Sequence, residues 1–142
     1  MYYNFVYFCI INFNRNSNKM EYHYRFENLE VWKESKQLAV EVYRILKAFP
    51  HEEKYGLIDQ LRRASISVPS NIAEGTSRVS SKEQVHFISM AYGSLMEMYC
   101  QLQIAIDLDY GDKAQIEQLL KKIKHTSYLL NNYRQYLTKS TT

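Results

Sequence analysis

The chain has 142 residues, 46% of them hydrophobic and 23% charged, with a formal net charge of +3. That size and balance fit one domain with its own core, and exclude both intrinsic disorder and a purely electrostatic nucleic-acid binder. Its 4 glycines and 2 prolines are roughly a third of the usual level of about 12%, too few for the turns of a β-rich fold, so long helices are expected.

Residues 1–13, MYYNFVYFCIINF, form an apolar run with no basic residue before it and no small-residue cleavage site after it. The run is too short to span a bilayer, so neither a signal peptide nor a membrane anchor is expected. The first 19 residues hold five asparagines, three tyrosines and three phenylalanines, and ordinary composition begins at Met20. Residues 1–19 are therefore expected to be a disordered leader or a mis-annotated start, and residues 20–142 the folded domain.

From Leu29 to Phe49 the apolar positions Trp32, Ala39, Val42, Leu46 and Phe49 recur on a helical period, which predicts a first helix that Pro50 ends. A second helix starting near Glu53 carries Leu57, Leu61, Ala64, Val68 and Ile72 on one stripe. Pro69 falls inside that period, so a kink or local break is expected there. Ser80 followed by Glu83 has the capping-box spacing and opens a third helix. Its seam is Val85, Ile88, Tyr92, Leu95, Tyr99, Leu102 and Ile106, stepping by three and four. A second stripe of Phe87, Ala91, Ser94, Met98, Ala105 and Leu108 runs beside it, a face wide enough for a central position or for self-association. After a turn at Asp109 to Asp112, Asp112 is placed to cap a fourth helix with the stripe Ile116, Leu119, Leu120, Ile123, Ser127, Leu130, Tyr133 and Leu137. Four helices joined by short connections predict an all-α, antiparallel up-down-up-down four-helix bundle.

Catalytic constellations are hard to assemble from these residues. Glu83 and His86 supply one Glu-x-x-His spacing, whereas a di-iron bundle needs two. There is no HExxH, no CxxC, no Walker A loop and no glycine-rich phosphate cradle. With two cysteines, Cys9 and Cys100, far apart in the chain, neither a disulfide framework nor a zinc site is indicated, and a reducing cytoplasm is the expected compartment. No enzyme activity, cofactor or metal is expected.

The second helix carries a polar ribbon, Gln60, Arg63, Ser67, Asn71, Glu74 and Arg78, beside its apolar stripe. Two readings stand: a solvated face with local ion pairs, or a polar seam between subunits that fixes register.

The run QLRRASISVPSNIAEGTSR resembles a family of bacterial four-helix bundle proteins found as open reading frames in 23S ribosomal RNA intervening sequences. So do Phe26, Leu29, Trp32, Phe49-Pro50, Glu53, Gly56-Leu57, Ala91, Gly93-Ser94 and Glu97, and the likeness extends over about residues 24 to 138. That family is similar in fold to the accessory variability protein of diversity-generating retroelements. The resemblance implies an antiparallel bundle assembling as a ring-like homopentamer, with a reverse transcriptase as one kind of partner. The polar ribbon of the second helix and the second stripe of the third supply the expected interface residues Gln60, Arg63, Ser67, Asn71, Glu74, Phe87, Ala91 and Met98.

Charge gives a further clue. Residues 113–142 hold Lys113, Lys121, Lys122, Lys124, Arg134 and Lys139 against Glu117 alone, while residues 1–112 are net acidic. Lys121, Lys122, Lys124, Tyr128 and Arg134 combine cations with an aromatic, a mixture suited to phosphates and to a stacked base of structured RNA or an RNA/DNA hybrid. An ordinary charged outer face of a bundle helix has the same composition, and a protein-interaction or structural module is the alternative function.

Overall fold

The computed structural model describes residues 23–139, so the expectation for residues 1–19 lies outside the described residues. Four α-helices account for most of the described chain: α1 over Glu30–Ile45, α2 over Leu57–Ser77, α3 over Ser81–Asp107 and α4 over Lys113–Lys139. Short 3-10 turns occupy Arg25–Asn28, Leu46–Ala48 and His51–Tyr55, and no strand occurs among the described residues.

The helix ends follow local chemistry with two departures from expectation. Phe49 is extended, with ψ 151°, as the residue before a proline should be. The second helix starts later than expected: a 3-10 turn covers His51–Tyr55, and the α-helix begins only after Gly56. Glu53 still governs that start, because its Oε2 accepts the Leu57 backbone N–H at 2.9 Å. Gly56 leaves room for this carboxylate, since a Cβ there would sit 2.5 Å from Oε2. At Pro69, where a kink or local break is expected, no break interrupts the helix. The helix continues through the proline with Val68 and Ile72 buried on either side, and that packing offsets the missing backbone donor.

Ser80 occupies the N-cap position of α3 but makes no side-chain capping bond. Instead Gln84 Nε2 donates to the Arg78 carbonyl at 2.6 Å and closes the connection from α2. Asp112 behaves as expected: its Oδ1 accepts the Ala114 and Gln115 N–H groups at 2.9 and 3.4 Å. The preceding turn places Asp109 and Gly111 at φ 56° and 73°, the left-handed region that short polar residues and glycine tolerate.

These helices form a four-helix bundle in which α1 and α3 each pack against both α2 and α4. Ser67 meets Ser94, and Gly75 meets Phe87, so α2 and α3 run in opposite directions. Arg134 lies over Tyr92 and Lys124 over Tyr99, which makes α3 and α4 antiparallel as well. Val42, Leu61, Ile72, Leu95, Leu102 and Ile123 are fully enclosed at the centre, each such side chain contributing about 1.5–3 kcal/mol by leaving water.

The rotational position of α3 differs from expectation. Its buried row is Gln84, Ile88, Ala91, Leu95, Met98, Leu102 and Ala105. Val85, Tyr92, Tyr99 and Ile106 are only half-buried, along the flank where Tyr92 and Tyr99 meet α4. Phe87 and Ser94 lie along the flank facing α2. The wide apolar face thus serves two neighbouring helices of the same chain.

Candidate nucleic-acid interface

Packing sorts the side chains of α4 into three sets. Ile116, Leu119, Ile123, Leu130 and Leu137 point into the core. Lys121, Lys124 and Tyr128 follow at steps of three and four on the opposite side, all exposed, which puts them on one helix face. Tyr128 is 62% exposed. Neither Lys121 nor Tyr128 has a hydrogen-bond, ion-pair or ring partner among the described residues. The Lys124 ammonium lies 5.9 Å from the centre of the Tyr99 ring on α3, close enough for a weak cation–π attraction.

The third set is engaged with neighbouring helices. Lys122, next to Lys121, turns toward α1 and forms an ion pair with Glu41. Half-buried Arg134 donates from Nη2 to Asn131 Oδ1 at 2.8 Å and stacks its guanidinium over Tyr92 at 5.6 Å. Of the five residues expected to contact nucleic acid, the fold gathers Lys121, Lys124 and Tyr128 into one exposed row and directs Lys122 and Arg134 toward neighbouring helices.

The polar ribbon on α2 is likewise divided. Asn71 Nδ2 donates to the Ser67 carbonyl at 2.8 Å and to Ser67 Oγ at 2.9 Å. Ser67 Oγ in turn shares a hydrogen bond with Ser94 Oγ of α3 at 2.9 Å. These three residues build a part-buried polar clasp between two helices of one chain. Glu74 pairs with Arg78, whose guanidinium sits 4.8 Å from the centre of the Phe87 ring. Arg63, paired loosely with Asp59 at 3.8 Å, and Gln60 are exposed.

Two expected interface residues are corrected by burial. Ala91 and Met98 are both 0% exposed, because the row that α3 turns into the core takes residues from both predicted stripes, and neither side chain has surface to offer another subunit. Phe87 is half-buried against Gly75 and Arg78. The apolar residues that α3 does expose are Met90, Ile104 and Leu108, with Gly93 and Cys100 on the same outer side. Sequence reasoning missed this outer row; its signal was the recurrence of apolar or small residues at Met90, Gly93, Cys100 and Ile104, again at helical steps.

Two tyrosines titrate unusually. Burial raises the Tyr110 pKa above its ordinary value, and the charge and hydrogen bond of Glu53 push it the same way. Burial also raises Tyr133, partly opposed by Arg25 and reinforced by Tyr136. Among the described residues no group of three or more His, Cys, Asp or Glu is placed to hold a metal ion, and no helix is long and apolar enough to cross a membrane.

A family model for 23S rRNA-intervening sequence proteins matches residues 27–132. Among solved structures, the chain resembles a protein of unknown function from the S23 ribosomal protein family of Bacteroides thetaiotaomicron VPI-5482. The TM-score is 0.68 at 22% identity, over 73% of this chain and 97% of that one. At that identity the likeness is one of fold. No curated protein matches the chain.

Proposed function

The chain belongs to the 23S rRNA-intervening sequence protein family, and on that premise we propose that it is a non-enzymatic helical scaffold that associates with RNA through the outer face of α4. The observation that carries this reading is the exposed row Lys121, Lys124 and Tyr128, which has the most basic element of the chain behind it. Ammonium groups that neutralise phosphates release condensed counterions, and an accessible aromatic adds stacking. Lys122 and Arg134 support the row by holding α4 against α1 and α3. In keeping with the resemblance to the accessory variability protein, the ligand class is structured RNA or an RNA/DNA hybrid, handled in the cytoplasm beside a partner such as a reverse transcriptase.

The proposal includes self-association as a homopentamer. Its surface is better supplied by Met90, Ile104 and Leu108 on the outside of α3, with exposed Gln60 and Arg63 on α2, than by the buried Ala91 and Met98. Copies arranged about an axis repeat the α4 row and strengthen its field.

The same exposed apolar row favours a second reading, a protein-interaction or structural module without RNA contact. Gel-shift titrations with structured RNA at about 50 and about 200 mM salt, paired with sizing, separate the two. On the RNA reading, binding falls steeply with salt, and the double variant Lys121→Gln/Lys124→Gln binds more weakly with a log–log slope shallower by about 0.7–0.9 per lost contact. Undiminished binding by that variant, or none by the wild type at low salt, transfers the assignment to the protein-interaction module.

A further inference from the structure

The surroundings of Tyr128 narrow the kind of RNA that α4 would hold. The residue is 62% exposed, and its side chain has no stacking or hydrogen-bond partner among the described residues. On the same helix side its neighbours are polar: Lys124 one turn before it, then Asn132 and Gln135 after it, all exposed. A protein-binding surface gathers aromatic and aliphatic groups and is depleted in lysine. The apolar groups that α3 exposes, Met90, Ile104 and Leu108, are instead separated from this row by Tyr99 and the rest of the flank that meets α4. A tyrosine set among lysines and amides, with exposed Tyr136 two turns further on, suits a ligand with flat rings and regularly spaced anions.

The row has a length and order of its own. Lys121, Lys124 and Tyr128 span about 10 Å along the helix axis at about 1.5 Å per residue, the length of about three stacked nucleotides at about 3.4 Å each. The cations lie at one end and the open ring face at the other. A duplex keeps its bases stacked and paired, so it offers Tyr128 nothing beyond phosphate and ribose, whereas unpaired nucleotides can be splayed onto an aromatic ring.

We propose that Lys121, Lys124 and Tyr128 form a binding site for unpaired RNA nucleotides, in which Tyr128 stacks on a base while the two lysines hold the adjoining phosphates. This rests on the RNA reading of α4 and narrows it: within structured RNA the face selects loops or single strands over paired regions, which sets the RNA/DNA hybrid aside. The stacking is tolerant of sequence, because every base presents a π face.

The test uses the full chain and two fluorescent probes, a single-stranded oligouridine of about 12 nucleotides and a blunt RNA duplex of about 16 base pairs, titrated at low salt. The single strand is expected to bind more tightly. Tyr128→Ala should weaken its binding about tenfold, with Tyr128→Phe close to wild type and duplex binding unchanged within about twofold. Because Tyr128 is largely exposed, circular dichroism of both variants should match the wild type. Equal binding of both probes, weakened by Lys121→Gln/Lys124→Gln but indifferent to Tyr128→Ala, overturns this inference while the RNA reading stands. Failure of both probes to bind at low salt overturns both.

Discussion

Tyr110 donates its hydroxyl hydrogen to Glu53 Oε1 at 3.2 Å across 57 residues of sequence, while the other oxygen of that carboxylate accepts the Leu57 N–H at 2.9 Å. One side chain therefore starts α2 and ties the α1–α2 connection to the turn between α3 and α4. Phe49 reinforces the same end of the bundle, its ring edge-on to Tyr110 at 6.0 Å. Replacing Glu53 with alanine removes the helix-start acceptor, a loss of about 1 kcal/mol or more. Urea denaturation should show the midpoint falling with the slope unchanged, and an unaltered midpoint would contradict the role assigned to this carboxylate.

The tyrosine of that pair makes stability depend on alkaline pH. Its pKa is raised in the fold by burial and by Glu53, so the folded chain holds this proton more tightly than the unfolded chain. The contribution is complete below the unfolded value of about 10 and is lost as pH rises through the higher folded value. Urea midpoints followed upward from about pH 9 should fall, and Tyr110→Phe should flatten that decline. Some slope should persist in the variant, because Tyr133 is raised in the same direction.

Two glycines should respond oppositely to alanine. A Cβ at Gly75 would lie 2.9 Å from Phe87 Cβ, whereas at Gly93 nothing lies within 4 Å. Alanine improves helix propensity by about 1 kcal/mol at either position. At Gly75 the overpacking against α3 costs about 1–3 kcal/mol and prevails. Thermal melts should therefore place Gly75→Ala below the wild type and Gly93→Ala above it, and the same sign at both sites would refute this packing.

Burial and exposure on α3 separate folding from assembly. Leu95→Asp and Met98→Asp put a charge where both wild-type side chains are 0% exposed and should unfold the chain, costing more than about 4 kcal/mol. Ile104→Asp, on the outer side, should keep a native circular dichroism spectrum and reduce the oligomer in light scattering. If the wild type is a monomer at micromolar concentration, self-association and the role proposed for Ile104 both fall.

Lys122 provides a control for the α4 surface. Its ion pair with Glu41 joins α4 to α1, but both side chains remain partly exposed, so Lys122→Gln should cost at most about 1 kcal/mol. RNA affinity should change less than in Lys121→Gln or Lys124→Gln. A loss equal to theirs would return Lys122 to the binding row.

Period and punctuation account for the number of helices, their approximate lengths and the Asp112 cap, because a 3.6-residue repeat and a side-chain acceptor before the first turn act within a few residues of themselves. The spacing of Lys121, Lys124 and Tyr128 on one face is local in the same sense. What lay beyond reach was the rotation of α3. Tyr92 and Tyr99 on one flank, and Phe87 and Ser94 on the other, are equally consistent with a central seam until α2 and α4 take their places on either side. Those neighbours send Ala91 and Met98 into the core. The partners of Lys122 and Ser67 depended on the same event, since Glu41 is 81 residues from Lys122 and Ser94 is 27 from Ser67. A pattern of side chains along one helix specifies its faces to within about a residue, but which face is enclosed, and which cation is left facing water, is set by the helices that pack against it.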